Sequence, residues 1–424
     1  MGWTIRCRGD KVRVQLLSWY PGRLMKASRR MQDSEHNTCP GMLGELRMAY
    51  RGWPRLACAI ALLLGMFGQG KAAQPADAGL TPAAKAELEA MIAGNTGETH
   101  FTPPGPAIDP STLKGKLIFT IPSSTSIPFC DVVDRQIDEF AKRLGIRHEV
   151  WQTTAQIGQW VQGFTTAMAH KADLINVACG LDPSTVAPQI QEAISKGIPV
   201  VAAHTYAFGQ PPLANLSGVV YGAYIHAAEL ETAWVILQTK GKGNVLVITA
   251  PSTANSPYIE KTIMGMFKKY CPDCKVRVSG VNAADWATKV GPTVQSAILA
   301  DHNLDYIIPI YDGMVQFVMP AIITTGASDR VKVASFNATP AVLDMIRTGN
   351  VVTFNSGEDT TWLAGAILDQ DMRVLLKQPL IKDYAAGIRA FTKSDVDAAG
   401  VPAKFGVGYG DSAANGYDAL WGLK

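Results

Sequence analysis

Cys271-Pro-Asp-Cys274 is the motif of this 424-residue chain with the plainest chemical spacing. Two thiols three residues apart suit a redox pair, half a zinc site or a short disulfide. Zinc would need two further ligands, and the sequence holds neither a second CxxC nor an HxxxH. A thioredoxin-like pair opens a helix after a strand. Here the pair follows a helical pattern over Ile259–Tyr270 and precedes a strand at Val276–Val278, so a small disulfide closing the turn is expected. Cys130 and Cys179 each follow a predicted strand in one half of the chain and form a second candidate pair. Their positions leave open whether they meet.

Other catalytic patterns are missing. There is no G-x-S-x-G elbow, no G-x-x-x-x-G-K-S/T phosphate loop and no H-E-x-x-H helix. Gly241-Lys-Gly243 reads as a turn before a strand. His148, His170, His204, His226 and His302 show no metal-ligand spacing. His204, at a strand end, reads as a hydrogen-bonding pocket residue rather than a general base. Asp312, at another strand end, either meets a ligand or caps the helix that follows. A protein without catalytic activity, cofactor or metal is expected.

The elements that must position these residues alternate regularly from Lys116 onward. Leu117–Ile121 is a continuous apolar strand, followed by a helix with Val133, Ile137, Phe140 and Leu144 on one face. Strands at 148–151, 174–178 and 198–202 follow, separated by helical patterns. The rhythm restarts after a helix at 227–238, with strands at 244–249, 276–279, 306–310, 331–335 and 351–355. Short buried strands between amphipathic helices predict parallel sheets covered on both faces. Two such runs predict an α/β protein of two doubly wound lobes, with a ligand cleft beyond the carboxyl ends of the strands.

Charge is uneven along the chain. Residues 1–72 hold 12 of the 39 basic residues but 4 of the 36 acidic ones, so the remainder carries 5 more acids than bases. That balance excludes a nucleic-acid footprint. Arg47, Arg51 and Arg55 precede the apolar run Leu56–Phe67, which is too short to span a membrane and fits a signal peptide cleaved near Ala72 or Ala78. Cys58 opens that run rather than following it, which argues against a lipid anchor. Met42 or Met48 gives a more usual signal length than Met1, so residues 1–72 are expected to be signal peptide plus an upstream extension. Residues 73–114, rich in Pro, Ala and Gly, read as a linker or N-terminal extension.

Four segments carry a family resemblance over roughly residues 115–390. They are Ile121-Pro-Ser-Ser-Thr-Ser-Ile-Pro-Phe129, Gly197-Ile-Pro-Val-Val-Ala-Ala-His204, Tyr311-Asp312-Gly-Met and Ser335-Phe-Asn337-Ala-Thr-Pro340. In this order and spacing the chain resembles the ribose-binding class of periplasmic proteins (type I, sugar ABC transporter substrate-binding). The resemblance implies two lobes joined by a three-strand hinge, with crossovers near 221–225, 355–358 and 388–392. Residues 115–222 with 357–390 would form one lobe, and 223–356 with 391–424 the other. Closure around a small ligand would shift the population to the closed form that an ABC permease reads. A monomer in the periplasm is implied, serving import or presenting its ligand to a chemoreceptor or sensor kinase.

Residue by residue, the resemblance puts Phe129 and Trp286 against the ligand's apolar faces. Ser126, His204, Thr205, Tyr311, Asp312, Asn337 and Ser356, or its neighbour Asn355, stand at the family's polar positions. The departures concern charge. Ile127 stands where sugar binders often carry Asn, His204-Thr205 where they carry Asp-Arg, and Tyr311 where Asn is frequent; residues 252–262 lack the usual Arg. The expected pocket is less charged and more aromatic than a ribose site. A sugar or sugar derivative leads the ligand classes, ahead of polyols and other small compounds.

Overall fold

The computed structural model describes residues 79–349, 351–384 and 386–423. The expected signal peptide and upstream extension, and both cleavage positions, lie outside the described residues. In chain order the elements are α1 (Pro82–Ala93), β1 (Leu117–Pro122), α2 (Pro128–Leu144), β2 (Arg147–Val150), α3 (Ile157–Ala169), β3 (Leu174–Ala178), α4 (Ala187–Ser195), β4 (Val200–Ala207) and β5 (Gly218–Gly222). Next come α5 (Tyr224–Gln238), β6 (Asn244–Thr249), α6 (Ser256–Tyr270), β7 (Lys275–Gly280), α7 (Trp286–Ala300), β8 (Tyr306–Pro309) and α8 (Asp312–Thr324). The chain ends with β9 (Lys332–Phe336), α9 (Pro340–Thr348), β10 (Val352–Glu358), α10 (Thr360–Leu376), β11 (Ile388–Thr392) and α11 (Ser412–Leu420).

The local causes are those of the sequence pattern. Every residue of β1, β3, β4, β6 and β8 is buried, because helices cover both faces of the sheets. The edge strands β2 and β7 carry Arg147 and Lys275 in solvent. Helix α2 starts at Pro128, whose missing N–H no helical partner needs, and stops at Gly145 (φ 72°), whose N–H returns to the carbonyls of Ala141 and Lys142. Among the described residues no helix is long and apolar enough to cross a membrane.

The strands form two sheets. The first has the order β2-β1-β3-β4-β5, all parallel, and the second β11-β10-β9-β8-β6-β7, parallel except for β10 with β11. The second sheet repeats the first with one antiparallel edge added. In each, the order reverses beside the first strand of the lobe, between β1 and β3 and between β6 and β8. Connections leave to opposite sides there and open a crevice at the carboxyl ends.

More segments cross between the lobes than the three expected. The chain passes from β5 into α5, from β10 into α10, and from α10 into β11, close to the expected crossovers. Residues 79–113 cross as well. Leu88 and Ile92 of α1 enter the second lobe's core, whereas Ile108 and Leu113 enter the first lobe's. Between them Ala390 N donates to Asn95 O at 2.7 Å beside β11, and Thr99 Oγ1 donates to Asp359 Oδ2 at 3.1 Å. The tail divides too, and this corrects the assignment of 391–424 to the second lobe. Phe391, Val396, Ala399, Ala403 and Tyr409 pack in the second lobe, but Phe405, Tyr417, Leu420 and Trp421 pack in the first. The reason is a polar anchor: Trp421 Nε1 donates to Asp369 Oδ1 at 2.9 Å, beside the fully buried Arg373–Asp369 pair of α10.

Candidate ligand-binding cleft

The loops at the two switch points meet between the lobes and enclose a cavity of about 30 Å³. The first lobe supplies Ser123, Ile127, Phe129 and Cys130 from β1 into α2, Cys179 and Gly180 after β3, and His204 on β4. From the other side come Tyr224, Thr253, Ala283, Trp286, Tyr311 and Asn337. Ile127, Ala283 and Trp286 are shared with a wider mouth of about 230 Å³ that adds Ser124, Ser126, Thr154, Gln316 and Phe317. The lobes touch beside the cavity: Ala254 N donates to Gly180 O at 3.3 Å and Gln210 Nε2 to Ala254 O at 2.8 Å.

Strained backbone concentrates at this wall. Cys179 (φ 57°), His204 (φ 50°), Asn337 (φ 124°) and, at the mouth, Ala155 (φ 61°) all lie in the left-handed region that L side chains rarely adopt. Such conformations persist where surrounding contacts over-determine them, and they cluster at functional sites. One such contact is the disulfide Cys130–Cys179, with Cα atoms 6.0 Å apart, which ties the first turn of α2 to the end of β3. The second disulfide, Cys271–Cys274, closes the turn between α6 and β7 far from the cavity.

His204 is held from both sides. Its Nε2 lies 2.6 Å from Glu358 Oε2 and its Nδ1 2.9 Å from the Tyr224 hydroxyl. Glu358, fully buried at the end of β10, also accepts from Ala223 N at 2.6 Å. This network joins β4 to two crossing segments. It leaves neither imidazole nitrogen to take a proton from a ligand. Phe129 packs 5.3 Å from the His204 ring. Trp286 anchors its indole through Nε1 to Val281 O at 3.1 Å, and the Tyr311 hydroxyl donates to Asn255 Oδ1 at 2.6 Å. Burial raises the Tyr224 and Tyr311 hydroxyls above the ordinary phenol range, so both stay protonated donors.

Of the residues singled out from the sequence, Phe129, His204, Trp286, Tyr311 and Asn337 line the cavity, and Ser126 stands at the mouth, 2.7 Å from Ser124 Oγ. Three differ from expectation and lie behind the wall. Thr205 donates to the carbonyls of Val177 and Ala203, because its neighbour His204 takes the cleft side. Asp312 neither faces the cavity nor caps α8. Its Oδ1 accepts from Ser335 Oγ and Asn355 Nδ2, both at 2.6 Å, and its Oδ2 accepts from Thr339 N at 2.7 Å and the Thr339 hydroxyl. Ser356 donates to Glu231 Oε1 at 3.1 Å, under the second sheet. Asn355 is consumed by Asp312, Ser335 and Ala338. Ser123, Thr253, Tyr224 and Glu358 were not foreseen. The adjacency of Tyr224 to the first crossover, and an acid ending an apolar hinge strand at Glu358, were the available signals.

Two mostly parallel-sheet lobes that meet around a cavity at their switch points define a two-lobed ligand-binding protein. A family model described as a periplasmic binding protein domain matches residues 118–375, and the chain belongs to that family. Among solved structures it resembles a sugar ABC transporter protein from Yersinia enterocolitica (TM-score 0.62, 14% identity, 73% of this chain and 95% of that one). It is similar to a Caulobacter myo-inositol binding protein bound to myo-inositol (TM-score 0.59, 18% identity, 68% and 96%). A fructose binding periplasmic domain of a hybrid two component system is comparable (TM-score 0.60, 16% identity, 68% and 93%). At these identities the likeness is one of fold. The chain has no match among curated proteins.

Proposed function

We propose that the mature chain is the substrate-binding component of an ABC importer. In this reading it works in the periplasm as a monomer, captures a sugar or sugar derivative between closing lobes, and delivers it to a permease. The observation that carries the reading is the cavity at the paired switch points, with walls drawn from both lobes. A ligand touching both walls binds the closed form better than the open one and shifts the population toward it. The myo-inositol and fructose binding proteins that share the fold support the sugar class. The engagement of both His204 nitrogens within the protein supports binding without catalysis.

A thermal-shift screen of the chain from Ala73 against sugars, polyols, amino acids and aromatic acids tests this. A ligand at a hundred times its dissociation constant stabilises the folded state by about 2.7 kcal/mol. A raised melting temperature with a sugar or polyol is expected. A shift with amino or aromatic acids alone would overturn the ligand class, and no shift with any compound would overturn ligand capture. The fold shared with the fructose binding domain of a two component system favours one second reading, presentation of the ligand to a sensor. Deleting the gene separates the two: importers lose uptake, whereas sensors lose the response with uptake intact.

A further inference from the structure

We propose that the cleft selects an uncharged, partly deoxygenated ring, a deoxy or O-methylated sugar rather than its fully hydroxylated parent, with the apolar edge inward and the hydroxyls toward the mouth. The inference rests on the sugar-derivative reading above and narrows it. Among the described residues no Lys, Arg, Asp or Glu lines either the cavity or its mouth. Behind the wall, Glu358 is engaged by His204 and Ala223, and Asp312 by Ser335, Thr339 and Asn355, while Asp134, which has no partner among the described residues, lies beside Val133, Ile137 and Ile367 outside both linings. A charged ligand would therefore lose its hydration with no countercharge in reach.

The inner end offers few polar handles. Phe129, Tyr224, Tyr311, Ile127 and the Cys130–Cys179 disulfide form its walls, and the two phenol hydroxyls and both His204 nitrogens already have partners. Two lining side chains make no hydrogen bond with any described residue: the Ser123 hydroxyl from the first lobe and the Asn337 amide from the second. Both residues are at least 95% buried. A fully hydroxylated ring brings more hydroxyls inside than these two groups can satisfy, and each extra one loses its water partners without replacement. A C–H or methyl group in that place loses nothing and packs against the aromatic faces. Outward, Ser124, Ser126, Thr154 and Gln316 give the mouth a polar rim, which fixes the orientation.

Isothermal titration of the chain from Ala73 with matched pairs tests the inference: D-fucose and D-galactose, 2-deoxy-D-ribose and D-ribose, 3-O-methyl-D-glucose and D-glucose. In at least one pair the deoxygenated or methylated member is expected to bind about tenfold or more tightly than its parent. Ser123→Ala and Asn337→Gly should weaken that binding while leaving the melting temperature of the free protein in place, glycine being at ease with the positive φ of residue 337. Parents that bind as tightly as their partners, or more tightly, would overturn the inference and leave the sugar reading standing. Binding of none of the six would overturn both.

Discussion

Each lobe buries an aspartate close behind the cleft, and the two are treated in opposite ways. Asp134, on α2 of the first lobe, makes no hydrogen bond with any described residue. Burial, with a smaller push from nearby Asp131, raises its carboxyl to about 8. Asp312, at the start of α8 in the second lobe, is buried as deeply but receives four donors, from Ser335, Asn355 and Thr339. Burial raises it only to about 6, because those donors favour the charged form. Burial alone does not decide what a carboxyl is for. Asp312 staples the loop after β9 to α8 and so shapes the wall at Asn337, the task that the Cys130–Cys179 disulfide performs for the first lobe.

The comparison breaks most sharply at Asp312. Asp312→Ala removes one acceptor and strands four buried donors, with an expected loss of about 3–5 kcal/mol in urea unfolding. A loss below about 1 kcal/mol would show that the staple is dispensable. In the first lobe, Cys130→Ser with Cys179→Ser should lower stability by about 2–4 kcal/mol, measured the same way. Wild-type protein treated with a reductant, which also opens Cys271–Cys274, should then lose at least as much.

Asp134 gives the smallest effect and the opposite sign. Both aspartates titrate higher in the folded chain than the ordinary 3.8 expected when unfolded, so over the intervening range the folded state holds protons that the unfolded state has lost. Their contribution is fully present below about pH 4 and is lost as pH rises, through about 6 for Asp312 and about 8 for Asp134. Asp134→Asn cannot ionise. It should raise stability at pH 8 by about 1–3 kcal/mol and reduce the decline all the way from about pH 4 to 8, leaving between about pH 4 and 6 the share that belongs to Asp312. An unchanged profile would mean that Asp134 finds a partner when ionised.

The architecture was legible because parallel strands covered on both faces read as unbroken apolar runs, as in Leu117–Ile121 and Val245–Ile248. Within the cleft, legibility followed side-chain size. Phe129, Trp286 and Tyr311 reach the cavity from helix starts whose positions the preceding strands already fix. The errors came from neighbours one residue apart. Side chains alternate along a strand, so His204 at the cleft sends Thr205 to the other face. Asp312 misled for a different reason, since nothing in Tyr311-Asp312-Gly313 announces that donors at 335, 339 and 355 will converge on it. The return of α11 to the first lobe was equally hidden. The anchor Asp369 lies 52 residues before its partner Trp421, and a short helix with Tyr417 and Leu420 on one side suits either core.

That return has a consequence for the order of assembly. The second lobe draws its strands and its covering helices α5–α9 from residues 224–358 and 388–409, interrupted only by the excursion through α10, with α1 already present when they appear. The first lobe, whose strands come first along the chain, needs Trp362 and Leu363 of α10 and then Tyr417, Leu420 and Trp421 within its core. Its long-range contacts therefore await residues made after the second lobe's, and the lobe begun first is completed after the other.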